Sequence, residues 1–392
     1  MAGLIVAGCA SKSRSGGEYY TMDDYKSVKK FDSHVHIVSD DTTFIEQARE
    51  QNFRFLTINV DAPSVPPFEE QRAWALEDIK KFPDVVDFAA TFSVANWGKK
   101  EWEAQTIDYL ADCISKGAVA VKIWKNVGMD LRDANGKLVM VDDPAFDPVL
   151  HFLEEKNIPV IGHIGEPKNC WLPIDEMTVN DYKGYYRNNP QYHMYLHPGI
   201  TTYEEQVDAR DRMLAKHPNL RFVGAHLGSL EWSVDELAKR FDRFPNMAVD
   251  MAERISHLEL QAQQDREKVR NFFIKYQDRL IYGTDFIVDG KDPAAMSAHA
   301  LEVRLSHWRF FTTDDKMNVP SSVDGEFQGL KLPREVVDKI YMKNAESWFS
   351  GIKTTAEPQS PAFAEAAPRR QARSSAKKMK FKVQSSKLEI RD

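Results

Sequence analysis

Cysteine is nearly missing from this chain. Its 392 residues hold three, Cys9, Cys113 and Cys170, too few for a disulfide framework. Long apolar runs are missing as well, and no segment beyond the N-terminus has the uninterrupted length of a membrane span. Positive charge is in deficit, with 52 Lys+Arg against 59 Asp+Glu and a net charge of −7. Nucleic acid therefore finds no electrostatic foothold on the chain as a whole. No G-x-G-x-x-G turn follows the first candidate strand, which counts against a dinucleotide-binding sheet. No internal repeat is present, so repeat architectures are set aside.

What is there is an ordinary globular composition, 42% hydrophobic and 28% charged, with ample material for a large core. The charge is unevenly spread. Residues 353–392 hold 10 Lys+Arg and 4 Asp+Glu, in an Ala/Pro/Ser-rich stretch that reads as disordered. At the other end, residues 4–9 run L-I-V-A-G-C, an apolar stretch closing in small residues before Cys9. This resembles a bacterial lipoprotein signal, although no Lys or Arg precedes it. On that reading a lipidated Cys9 would anchor the chain to a membrane of the cell envelope, with residues 11–18 as a flexible tether. Otherwise the protein is cytoplasmic. The chain divides into a signal and tether (1–29), a folded domain (30–350) and a basic tail (351–392).

Within the folded domain, short apolar runs alternate with longer amphipathic ones, the rhythm of a parallel sheet with crossover helices. Candidate strands cover 30–37, 53–60, 85–94, 118–124, 158–163, 220–226, 247–251 and 280–285. Helical patterns fall at 68–81, 101–116, 145–156, 203–216, 234–244 and 266–276. Eight strands with intervening helices predict an α/β fold, a closed (β/α)8 TIM barrel with long βα-loop insertions, over an open doubly wound sheet. One insertion, 127–143, carries the turn Asp133-Ala134-Asn135-Gly136-Lys137 and predicts a small hairpin. A second, 165–202, is long and rich in aromatic residues, as functional loops are. Residues 333–349 read as a closing helix with Pro333 at an early position.

The first strand reads Phe31-Asp32-Ser33-His34-Val35-His36-Ile37. Side chains alternate along a strand, so Asp32, His34 and His36 share one face. Two imidazoles two residues apart can chelate one ion, or be incidental histidines on a polar edge. Position favours the first. His163 ends Val160-Ile161-Gly162-His163, His226 ends Val223-Gly224-Ala225-His226, and Asp285 ends Tyr282-Gly283-Thr284-Asp285. In a barrel, catalytic side chains gather at the C-terminal ends of the strands. Helix caps and turns account for any one of these endings, and poorly for three of them together with H-x-H.

D-x-H-x-H on strand one, His after strands five and six, and G-T-D on strand eight resemble the amidohydrolase superfamily. Within it the chain is most similar to the amidohydrolase-related branch, which includes lactonases, other hydrolases and nonoxidative decarboxylases. The likeness runs from Phe31 to Phe349, including Asn344-Ala345 in the closing helix. It implies an enzyme with one divalent metal held by His34, His36, His163 and Asp285. Zinc suits that N/O set, and manganese or iron could replace it. It further implies hydrolysis of a lactone, amide or ester bond by metal-activated water. Asp285 would carry the proton, and His226 would polarise the scissile carbonyl. In binuclear relatives the His226 position ligates a second metal. The alternative on the same site is a lyase, a nonoxidative decarboxylase or hydratase.

Lys122 lies inside the apolar fourth strand, where a lysine is costly unless paired or modified. In binuclear relatives the strand-four Lys is carbamylated and bridges two metals; in the mononuclear branch it is no ligand, and that reading is adopted. The remaining possibility is an outward lysine snorkelling from the barrel wall. Loops after the strands supply substrate-binding candidates, namely Lys122, Trp124, Lys125, Glu166, Lys168, Trp232 and Arg254. Among them Lys125, Lys168 and Arg254 suit a small carboxylated or polyhydroxylated substrate. Glu231 and Glu253 sit in the same loops. The tyrosine-rich segment 182–197, with His193 and His197, reads as a lid. Cys170 receives no catalytic role. Barrels of this kind often pair, so a homodimer is expected.

Overall fold

The computed structural model describes residues 17–349, 351 and 352. Cys9 and the basic segment from 353 onward lie outside the described residues, and the lipid-anchor and tail expectations with them. Among the described residues no helix is long and apolar enough to cross a membrane.

The main sheet has nine strand segments: β1 (Lys30–Ile37), β2 (Phe53–Ile58), β3 (Val86–Thr91), β4 (Ala118–Ile123), β5 (Val160–Gly162), β6 (Phe222–Gly224), β7 (Met247–Asp250), β8 (Leu280–Ile281) and β9 (Phe286–Val288). β1 to β8 pair in parallel, each with the next in the chain. β8 and β9 are two halves of one barrel strand. The first half bonds β7, aligning Leu280 with Val249. The second bonds β1, aligning Phe286 with Val35. Between them Ser33 N donates to Tyr282 O at 2.9 Å and Asp285 N to His34 O at 2.7 Å. The sheet therefore closes on itself, and the fold is a (β/α)8 TIM barrel.

β1 to β8 are buried on both faces, which is why they read as nearly continuous apolar runs. One set of side chains, including Ile58, Ala89, Ala120, Ile161, Val223, Ala248 and Ile281, fills the lumen. The alternate set, including Phe55, Phe88, Val121, Val160, Phe222 and Val249, packs outward beneath the helices.

β1 breaks the alternation. Phe31 belongs to the lumen, but pairing with β2 shifts register between Asp32 and Val35. His34 and His36 then face inward and Asp32 faces out, which corrects the expectation that all three share a face. Asp32 instead meets Arg304 at 3.2 Å, both side chains at 0% exposure. The Arg304 guanidinium is ringed by Phe44, Phe53, Phe55 and Phe286. The Asp32 carboxylate accepts from Thr284 N at 3.0 Å and from its Oγ1 at 2.7 Å. It thus fixes the turn that presents Asp285.

The insertion at 127–143 folds back on itself as the small hairpin expected, around an antiparallel bridge between Arg132 and Leu138. Val139 N donates to Leu131 O at 2.8 Å and Asp133 N to Lys137 O at 2.9 Å, and Asp133 Oδ1 accepts from the N–H groups of Asn135 and Lys137 in the turn. The folded part begins before residue 30. Tyr19 bridges to Pro333, Tyr20 Oη donates to Asp338 Oδ1 at 2.6 Å, and Trp308 Nε1 donates to Thr21 O at 3.0 Å. Burial of Tyr20 and Tyr25 against Trp308 draws this segment onto the barrel. The closing element is helical from Arg334 to Trp348 with a π-type stretch at Lys339–Lys343. Asn344 Nδ2 donates to Leu280 O at 2.8 Å, while Met342, Ala345 and Phe349 join the lumen cluster. This element closes the end of the barrel opposite the strand C-termini.

Candidate metal centre

Four imidazoles and one carboxylate meet at the C-terminal mouth of the barrel. Nε2 of His34 and Nε2 of His36 each lie 3.1 Å from Asp285 Oδ1. Asp285 Oδ2 lies 4.0 Å from His226 Nε2. The His226 ring centroid is 4.9 Å from that of His34 and 4.3 Å from that of His163. Ligand atoms of His34, His226 and Asp285 all fall within 4.8 Å of one another.

Three of the rings are oriented from behind. His34 Nδ1 is 2.8 Å from Asp250 Oδ2. His36 Nδ1 donates to Ile58 O at 2.7 Å, and His226 Nδ1 donates to Ala252 O at 3.0 Å. Each contact leaves the Nε2 lone pair turned toward the centre. His163 Nε2 is buried without a partner.

Burial lowers the pKa of three of these histidines, reinforced for His34 by Lys122, for His163 by His226 and for His226 by Arg254. Neutral imidazoles are the ligand form a metal needs. Asp285 goes the other way. Burial alone would raise it, but neighbouring His34, His36 and Lys122 hold it well below the usual carboxylate range. The ligand atoms that converge are those of His34, His226 and Asp285; His36 Nε2 meets the same carboxylate, and His163 adds an orphaned buried nitrogen beside His226, a donor set that fits a divalent cation.

The backbone that delivers His226 is strained. His226, Leu227 and Ser229 sit at φ 59°, 56° and 56°, and Gly228 between them at 60°. Left-handed backbone costs a non-glycine residue about 1–2 kcal/mol. The surroundings offset this. Asp250 Oδ1 accepts from His226 N at 2.8 Å, Ser229 Oγ donates to Ile164 O at 3.0 Å, and buried Arg210 donates to Gly228 O. Asp250 thereby grips both His226 and His34, yet it is not among the residues singled out from the sequence. Gly224 lets the turn fold back, because a Cβ there would lie 2.8 Å from Gly228 Cα. Gly224→Ala should destabilise the protein by about 1–3 kcal/mol by overpacking, read from denaturant unfolding. Unchanged stability would mean the turn is not held this tightly.

Lys122 points inward, so the snorkelling reading falls. It is 1% exposed and its Nζ is 3.2 Å from His34 Nε2. Burial lowers its pKa to about 8, against the pull of Asp250 and Asp285.

Around the mouth, Lys125 is ion-paired with Glu166 and sits 5.7 Å from the Trp124 ring and 4.7 Å from that of Tyr192. Lys168 stacks its Nζ over the Trp232 ring at 3.9 Å, and its backbone N–H donates to Glu231 Oε1 at 2.8 Å. Trp232 Nε1 donates to Tyr203 Oη at 2.7 Å. Arg254 is buried, with Nη1 3.2 Å from Glu253 Oε2 and its guanidinium 5.1 Å from the Tyr182 ring. Lys125 and Arg254 are thus balanced by acids of the protein itself.

Glu253 is a further residue whose role the sequence left open. Its side chain is 57% exposed, and partial desolvation together with the charge of Asp285 raises its pKa to about 7. The tyrosine-rich segment is built on a helix, Asn180–Asn188, flanked by short 3-10 turns, with Tyr182 and Tyr186 packed inward. His193 Nε2 meets Leu172 O at 2.8 Å, outside that segment, and His197 Nε2 meets Pro190 O at 3.0 Å within it. Cys170 donates to Tyr192 O at 2.8 Å, and burial pushes its thiol up to about 12, an unreactive state.

A closed parallel barrel whose strand ends aim imidazoles and a carboxylate at one point defines a TIM-barrel enzyme with a divalent-metal site. The chain belongs to the amidohydrolase family, whose model, described as Amidohydrolase, matches residues 32–350. No curated protein matches it. Among solved structures, it is similar to 2,6-dihydroxybenzoate decarboxylase from Rhizobium, at 14% identity over 82% of this chain and 98% of that one, TM-score 0.48. It is also similar to 5-carboxyvanillate decarboxylase from Novosphingobium aromaticivorans, solved with bound manganese, at 13% identity over 83% and 98%, TM-score 0.46. A third is 4-oxalomesaconate hydratase from Rhodopseudomonas palustris, at 13% identity over 82% and 95%, TM-score 0.43. Identities this low say nothing about substrate.

Proposed function

We propose that the protein is a metal-dependent hydrolase that opens a lactone, amide or ester bond of a small, carboxylated or polyhydroxylated substrate. The observation that carries this reading is the divided carboxylate of Asp285. One oxygen lies 3.1 Å from both His34 and His36, and the other turns toward His226 at 4.0 Å. His34, His36, His163 and Asp285 would hold the cation, zinc by donor type with manganese or iron as substitutes. When bound, it supplies Lewis acidity to the attacking water and the carbonyl. The Asp285 carboxylate would take the water's proton and hand it to the leaving atom.

His226 fits the polarising role poorly. Its Nδ1–H is engaged by Ala252 O, so Nε2 offers a lone pair. Donation to a carbonyl would require the imidazolium, which burial opposes. His226 is better suited to accept a hydrogen bond or to ligate. Lys122 is the inward cation available to a developing oxyanion. Lys125 and Arg254 are balanced internally, so Lys168, over the Trp232 ring, is the mouth cation left to meet a substrate carboxylate.

The lyase reading differs in its products. Holoprotein incubated in ¹⁸O-water with a panel of lactones and esters should place the label in the product carboxyl group. Release of CO₂ from an aromatic-acid panel, with no lactone turnover, would replace the hydrolase with a decarboxylase.

A further inference from the structure

Away from the barrel mouth, a second group of histidines and carboxylates has no part in this chemistry. It lies where the helix Asp147–Glu155 meets the end of the helix Tyr203–Lys216. His217 follows the second helix, and its side chain is 0% exposed. Each of its ring nitrogens meets a carboxylate. Nε2 is 3.1 Å from Asp147 Oδ1, and Nδ1 is 3.4 Å from Glu154 Oε2. His151, one turn before Glu154, places its Nδ1 2.9 Å from the same Glu154 oxygen. The two histidine rings are 4.7 Å apart. Lys216 Nζ anchors Asp147 at 2.6 Å. The other oxygen of Glu154, Oε1, is buried without a partner.

A neutral imidazole has one N–H. If His217 donates from Nε2 to Asp147, its Nδ1 turns a lone pair on Glu154 Oε2. Two lone pairs then face each other at 3.4 Å, and Glu154 keeps an oxygen with no donor at all. A cation between the three groups relieves both conflicts. Ligand atoms of His151, Glu154 and His217 all lie within 4.8 Å of one another, close enough for metal–ligand bonds of about 2.0–2.2 Å. Asp147 behind His217 completes the carboxylate–histidine–metal arrangement that fixes a ligating tautomer.

We propose that His151, Glu154 and His217 form a second divalent transition-metal site, of zinc type, on the outside of the barrel. The site lies at the end where β5 and β6 begin, because both helices run down to those strand starts. That is the stability end of a barrel, opposite the catalytic mouth. The ion would staple two successive βα units together, and its role is structural.

The competing arrangement is an imidazolium at His217 held between two carboxylates, with no metal. Zinc titration of the full-length holoprotein, with metal counted after desalting, separates the two. Wild type should hold one Zn²⁺ equivalent that His151→Ala lacks, and zinc should raise Tm in wild type only. His151 is 61% exposed, so the variant should fold and keep its turnover. His36→Ala should lose the barrel metal and keep the outer equivalent, which separates failure of this site from failure of the catalytic reading. Equal zinc counts in wild type and His151→Ala, or no zinc-dependent rise in Tm, would overturn the proposal.

Discussion

Asp285→Asn should cut kcat/KM by about a thousandfold or more, in the upper range for loss of a general acid–base, while the protein stays folded. Asn keeps the shape of the side chain. It also tolerates the backbone, which matters because Asp285 sits at φ 68°, a region that Asn and Asp enter more readily than other side chains. What the variant loses is the proton acceptor and the negative charge. The charge loss is felt at once, because Lys122, His34 and His36 all act on this carboxylate. A thousandfold loss corresponds to about 4 kcal/mol of transition-state stabilisation. The measurement pairs kcat/KM with metal content and unfolding midpoint. Activity within tenfold of wild type, at full metal content, would remove Asp285 from the proton path and the proposed mechanism with it.

Much of this architecture is legible in the sequence where one physical signal dominates. The helices Phe68–Lys81 and Tyr203–Lys216 fall where the periodicity puts them, the second opened by a Thr202/Glu205 capping box. β1 has the expected bounds. Other elements lack that signal. The helix Thr43–Glu50 is eight residues long, too short for its apolar spacing to stand out. Pro293–Thr312 buries a stripe at helical spacing, Ser297, Ala300, Arg304, Trp308 and Phe311, but two of its members are polar, so no apolar periodicity marks it. The eighth strand reads as one run, but it is split because its halves bond different neighbours, and pairing partners leave no local trace.

The site divides in the same way. His163, His226 and Asp285 end apolar runs, and that position made them visible. Ser33 sits in a register shift that no alternation rule can anticipate, so Asp32 was placed on the wrong face. Asp250 escaped notice because Met251 extends the apolar run past it. The seventh strand reads through 251, whereas it ends at Asp250 itself. Glu253 reads as a loop residue, and only the closed barrel brings it under the charge of Asp285.

Asp250 also gives the sharpest test of how the metal centre is held. Its Oδ2 meets His34 Nδ1 at 2.8 Å, and its Oδ1 accepts from His226 N at 2.8 Å and Ala252 N at 3.2 Å. Asp250→Ala should destabilise the protein by about 3–5 kcal/mol, since each buried donor left unpaired costs about 1–3 kcal/mol and the strained turn loses its anchor. Asp250→Asn separates orientation from stability. Its carbonyl oxygen can still accept both backbone N–H groups. Its amide then offers N–H to His34 Nδ1, which must become the acceptor, and the ring proton moves to Nε2, facing the metal position. Asn should therefore weaken metal binding by about 10–100-fold, as removal of such supporting contacts does, with a much smaller loss of stability than Ala. Chelator competition measures the first quantity and denaturant unfolding the second. If Asp250→Asn binds metal as tightly as wild type, the His34 tautomer is not set by this carboxylate, and the lone pair assigned to Nε2 has some other origin.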